Sequence, residues 1–209
     1  MTAAMPEIRE SAGFVIAIGP YYDLIKCTRG WFAARPDQSG DQYPTRFYAK
    51  WIIMLSALDM IPEKREQLFL QEVLINLLRT KKLPPAEGLS TEGRRWYALA
   101  TMQGDQSDEE LSMQIEKHLA GSILSKLDPR QTLDKIICPV FLIHGAFDDL
   151  IPPEESNDLH RQIPTTHLLV SPFLTHTHPA DAPLNFRQKT KSILETLAFC
   201  YQLSGVISN

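Results

Sequence analysis

Cysteine is scarce in this sequence: Cys27, Cys138 and Cys200 are the three among 209 residues. They are too few and too scattered for a disulfide framework or a zinc site, and a reducing cytoplasm is the setting they predict. Net charge is small as well. Lys and Arg total 21 against 25 Asp and Glu, a formal −4, so nothing points to a nucleic-acid or anionic-membrane partner. No run approaches the roughly 18–20 apolar residues of a spanning helix. The opening Met-Thr-Ala-Ala-Met-Pro-Glu has neither the basic region nor the apolar stretch of a signal peptide. No repeat or low-complexity tract is found, and no cofactor is expected. What the chain does have is a hydrophobic content of 44% with 22% charged residues, ample for a folded core. Its length suits one large domain, or a domain carrying an insertion.

The most informative stretch is Ile137 to Pro153. Pro139 opens an uncharged run, Val140 to Ile143, that suits a parallel strand covered on both faces. Gly145 breaks it, and Pro152-Pro153 leads into a helix over 154–163. Asp148 and Asp149 therefore fall just past the strand's carboxyl end, the edge where open α/β sheets bind ligands and gather catalytic side chains. Phe14 to Ile18 reads as a buried strand bounded by Gly13 and Gly19-Pro20, and it places Tyr21, Tyr22 and Asp23 on that same edge. As a parallel strand it needs neighbours on both sides, and little precedes it to supply them.

Between these strands the pattern is helical. Thr45–Met60 carries Phe47, Trp51, Met54, Leu55 and Leu58 on one face. Pro62 suits the first turn of a helix running to about Thr80. Thr91–Met102 is a shorter candidate, and Ser107-Asp-Glu-Glu110 reads as a capping box for a helix over 108–121. Residues 35–44 are loop-like. The block from 28 to 132 is expected to be an all-helical insertion, with 1–27 and 133–209 forming the strand-bearing part. After strand 139–144 and helix 154–163 come a strand over His167–Ser171, a loop containing Thr175-His176-Thr177-His178-Pro179, and a last helix. Asp181 is its expected cap, Pro183 lies in its first turn, and it ends near Leu203. The order β, helical block, β-α-β-α implies an α/β fold with a parallel sheet and right-handed crossovers.

An acid after one strand and a histidine after the next is the downstream part of one known arrangement, in which serine, acid and histidine follow in that chain order. With Pro139-Val-Phe-Leu-Ile-His-Gly145, then Asp148, then Ile151-Pro-Pro153, then the His176 loop before a closing helix, the chain resembles an α/β-hydrolase. The resemblance implies a partial parallel sheet of that fold with an inserted helical cap, and a serine-hydrolase activity on ester-like bonds. It makes Asp148, three residues after the glycine, the catalytic acid. His176 becomes the base, with His178 as the alternative. Both histidines follow a threonine where the family usually shows glycine.

Asp148 would hold the imidazole tautomer and stabilise its cation while the histidine takes the nucleophile's proton. In the other reading it merely caps a turn, and Asp149 is its solvated neighbour. His-x-His also suggests a metal, but no third ligand stands at a convincing spacing. His118 and His160 fall on helices, His144 at a strand end and His167 at a strand start. Phe47, Trp51, Trp96 and Tyr97 either line an acyl or aryl pocket of the cap or pack the cap's own core.

One piece of the family pattern is missing. The sequence contains no Gly-x-Ser-x-Gly nucleophile elbow. Ser11-Ala12-Gly13 precedes a strand instead of following one, and a lone cysteine such as Cys27 is more often inert. The resemblance thus covers the later half of the family's fold, and the oxyanion-hole donors would belong to the other half. Two functions follow as expectations. In one, the chain supplies acid, base and cap to an esterase completed by an N-terminal half. In the other it is a non-catalytic, truncated fragment or interaction module that self-associates through an unpaired strand edge.

Overall fold

A computed structural model describes residues 2–33, 45–79, 85–102, 108–121, 123–176, 179–180 and 183–208. The chain divides into two units, Met1–Asp23 with Asp128–Asn209, and Leu24–Leu127.

The strand-bearing unit holds β1 (Val15–Ile18), β2 (Val140–Gly145) and β3 (Thr166–Ser171), in that spatial order and all parallel. Ile18 aligns with Ile143, and Gly145 with Ser171, so all three strands end at one edge. This is a mixed α/β architecture with a small parallel sheet. Alternation of side chains sorts the uncharged β2 run onto two faces. Val140 and Leu142 pack with Leu159 and Ile163 of the helix Pro153–Gln162 and its end, and Val15 and Ala17 join them. Phe141 packs instead with Leu169 and with Phe199 of the helix Phe186–Ile207.

β1 was expected to be buried and is not. Ile16 and Ile18 are 44% and 71% exposed, because among the described residues β1 pairs on one side only and the long helix packs chiefly on β3. The amino-terminal residues ahead of β1 include a short helix α1 (Pro6–Arg9). The closing helix starts at Phe186, not at Pro183. Its cap is Asn185, whose side chain accepts from Gln188 N–H while the Gln188 side chain accepts from Asn185 N–H. That reciprocal box satisfies two donors at once; Asp181 lies outside the described residues.

The second unit is helical: α2 (Leu24–Ala33), α3 (Thr45–Leu55), α4 (Lys64–Arg79), α5 (Thr91–Thr101), α6 (Glu109–Ala120) and α7 (Ile123–Leu127). The Pro153–Gln162 and Phe186–Ile207 helices of the first unit are then α8 and α9. Helix α3 is shorter than its pattern suggested, since the chain tightens into a 3-10 turn at Leu58–Met60. Helix α4 begins after Pro62, which lies outside its first turn. The cap of α6 is Asp108, accepting from Leu111 N–H; Ser107 lies outside the described residues. Helix α2 was not anticipated. Phe47, Trp51, Trp96 and Tyr97 are all buried here, and Trp51 Nε1 donates to Ala100 O at 2.9 Å. A polar handle inside the core thus finds its partner. Lys50 is also buried, with Nζ 5.8 Å from the centre of the Phe32 ring.

Candidate active site

Where β2 ends, Gly145 lets two backbones touch. A Cβ there would sit 2.6 Å from Leu174 O and 2.7 Å from Thr175 O. The glycine thereby brings the loop after β3 against the turn after β2. Asp148 stands in that turn, its N–H donating to Gly145 O at 3.2 Å. Its own Oδ1 accepts from the N–H groups of Leu150 and Ile151, both at 2.9 Å. An aspartate closing a turn onto backbone two and three residues ahead is a local, sequence-encoded lock on the carboxylate.

With Oδ1 occupied, Oδ2 faces the neighbouring loop. His176 Nδ1 lies 2.8 Å from it. The Asp148 side chain is 1% exposed and the His176 side chain 23%. The loop carrying His176 is held by Leu174 bridging to Pro179 and by Ala180 N–H donating to Phe173 O at 2.8 Å. A carboxylate only accepts, so Nδ1 carries the proton and the other nitrogen, Nε2, of the neutral ring is left with the free lone pair. Burial pushes the Asp148 carboxyl up. Hydrogen bonds from His144, from Ile151 N–H and from His176 outweigh it and hold the group below the ordinary carboxylate range.

The structure thus brings together the two residues named first from the sequence. Asp149 is exposed, and His178 lies outside the described residues. Cys27 is buried on α2, His118 pairs with Asp59, and His160 bonds Thr166. Trp51, Trp96 and Tyr97 pack the helical unit. No cluster of three or more His, Cys, Asp or Glu fit to hold a metal ion occurs among the described residues.

Four neighbours escaped sequence reasoning. Gly19, with φ +57°, closes over the pair, and a Cβ there would be 3.4 Å from His176 Nδ1 and 3.5 Å from Asp148 Oδ2. Its left-handed backbone and the close approach both favour glycine. Glu155, fully buried on α8, accepts from Tyr22 N–H at 3.0 Å and Asp23 N–H at 2.7 Å, which fixes the chain leaving β1. His144 and Ser156, both fully buried, bond each other at 2.6 Å beside the carboxylate. The only signal for His144 was its place beside Gly145. The others carried none before the chain folded.

Gly145→Ala is expected to separate the pair, because the added methyl meets backbone carbonyls and not a flexible side chain. Loss of the hydrogen-bonded His176 Nδ1–H resonance in NMR, with a stability loss of about 1–3 kcal/mol, would record it. A folded variant retaining that resonance would contradict it.

No family model matches the chain, and no curated protein matches it. No helix among the described residues is long and apolar enough to cross a membrane.

Proposed function

We propose that this chain supplies the acid, the base and a helical cap of an α/β-hydrolase-type esterase, with Asp148 and His176 as its acid–base pair. The observation carrying this reading is the 2.8 Å contact between a buried carboxylate and a partly exposed imidazole. Asp148 fixes the tautomer and compensates the imidazolium. His176 Nε2 takes a proton from an attacking hydroxyl and returns it to the leaving alcohol. The substrate is a small ester-like molecule, and the reaction an acyl transfer.

The hydroxyl and the oxyanion donors come from an N-terminal half whose strand pairs along β1. Among the described residues β1 pairs on one side only, and the uncovered Ile16 and Ile18 lie on it; an unpaired apolar edge strand is a template for another chain. The same edge favours a second reading, a non-catalytic interaction module that pairs with itself.

A fluorophosphonate probe separates the two. The chain alone is expected to remain unlabelled. A longer product encoded with an in-frame Gly-x-Ser-x-Gly upstream of Met1 is expected to label stoichiometrically and to lose at least about 10³-fold in labelling rate on His176→Ala. Labelling of the isolated chain, or labelling indifferent to His176, would overturn the esterase reading. A coding sequence without that motif, together with a self-associated chain in sedimentation, would favour the interaction module.

A further inference from the structure

The Asp148–His176 contact is one side of a larger buried cluster. Oδ2 of Asp148 has a second imidazole against it, with His144 Nε2 at 3.3 Å and the ring fully buried. The same nitrogen lies 2.8 Å from Ile151 O, while Nδ1 lies 2.6 Å from Ser156 Oγ. These contacts decide where the proton sits. A carbonyl and a carboxylate both accept and neither donates, so Nε2 must carry hydrogen. In the neutral ring, Nδ1 is then an acceptor, and the Ser156 hydroxyl is the group that donates to it.

We propose that His144 is a positioning residue for the Asp148–His176 pair. Its Nε2–H, kept on that nitrogen by the Ser156 hydroxyl at Nδ1, holds the Ile151 carbonyl and Oδ2 of Asp148 where Oδ2 can accept from His176. This rests on reading Asp148 and His176 as the acid–base pair, and it names what fixes them.

The geometry gives His144 two grips on one carboxylate. It bonds the carbonyl of Ile151, whose own N–H bonds Oδ1 at 2.9 Å, and it lies directly against Oδ2. Rotation of the carboxylate about its Cβ–Cγ bond would therefore break contacts on both oxygens. Around the ring stand Asp148 in the following turn and, on the same carboxylate oxygen, His176 in the loop after β3, while Glu155 precedes Ser156 on α8. Glu155 is already engaged by Tyr22 and Asp23 N–H. No Lys or Arg pairs with Asp148 among the described residues, so imidazole and backbone N–H groups alone steady its charge.

The test reads ring nitrogens and needs no substrate. In the wild-type chain labelled with ¹⁵N-histidine, His144 is expected to show a protonated Nε2 at neutral pH. A neutral ring protonated on Nδ1 instead would overturn the assignment. His144→Phe is expected to speed solvent exchange of the His176 Nδ1–H about tenfold or more, the loss of one charge-assisted anchor. His144→Gln, which offers an amide donor near the former Nε2, is expected to restore exchange to within about twofold of wild type. A folded His144→Phe with unchanged exchange, or a His144→Gln as fast as His144→Phe, would sink the proposal.

Should His144→Phe fail to fold, Ser156→Ala removes one oxygen and serves in its place. It leaves Nδ1 without its donor and is expected to loosen the ring and speed His176 exchange severalfold, with Nε2 still protonated; unchanged exchange refutes the lock. A longer, Gly-x-Ser-x-Gly-bearing protein that resists the fluorophosphonate yet shows the expected nitrogens would remove the hydrolase reading and leave the positioning intact. A reactive protein without them would do the reverse.

Discussion

Lys50→Met is expected to stabilise the helical unit by about 3 kcal/mol at pH 7. Lys50 is 2% exposed on α3. Its contact is the Phe32 ring, and burial pushes its ammonium from 10.5 down to about 8. Among the described residues no carboxylate pairs with it, and removing an unpaired charge from water is costly. A cation over a ring recovers only about 1–2 kcal/mol of such a cost. Methionine keeps the unbranched stem and packs well in such a site.

The sign of the pH dependence follows from the same displacement. Between pH 8 and 10.5 the unfolded chain holds the Lys50 proton while the folded chain has released it. Stability therefore rises with pH across that window, and the penalty is fully present below it. Urea unfolding of wild type and Lys50→Met from pH 7 to 10.5 should show a gap that closes as pH rises. A gap independent of pH would mean that the amine is solvated and the lysine ordinary.

Asp148→Ala is expected to cost about 3–5 kcal/mol in the strand-bearing unit. It strands the N–H groups of Leu150, Ile151 and His176, together with His144 Nε2, around a space where a carboxylate stood. Each buried donor left without an acceptor carries a desolvation penalty. Asp148→Asn keeps one acceptor oxygen and is expected to lose less, though its amide confronts a donor. Because the folded Asp148 carboxyl lies below its ordinary value of 3.8, its contribution is complete above that value. It disappears as pH falls through the lower folded one. Unfolding curves of wild type and Asp148→Asn from pH 6 to 2 should therefore converge at the acid end. Parallel curves would show that Asp148 is not ionised in the folded chain.

Local pattern served some elements well and others poorly. Strand β2 was legible because a covered parallel strand needs an uncharged run, and the glycine and two prolines after it announced the turn holding Asp148. Helix α2 was overlooked although Leu24, Cys27, Thr28, Trp31 and Phe32 recur at three- and four-residue spacing and are all buried. Its Gly30, Thr28 and Cys27 weaken helix propensity, and the packing of that face overrides them. The start of α9 was misplaced because Asp181 and Asn185 are both good caps by type. Only Gln188, three residues after Asn185, distinguishes the box that forms.

By itself the sequence determined the α/β alternation, the glycine-ended strand, and the chain order of Asp148 and His176, since each is written in the local order of residues along the chain. Tertiary structure alone decided that those two side chains meet at 2.8 Å. It alone decided that Gly19 covers them, and that His144 and Ser156 stand behind the carboxylate. Those contacts join residues that lie up to 157 positions apart, as Gly19 and His176 do. They depend on parallel strand register and on two backbones approaching at Gly145, and no local pattern of side chains encodes either.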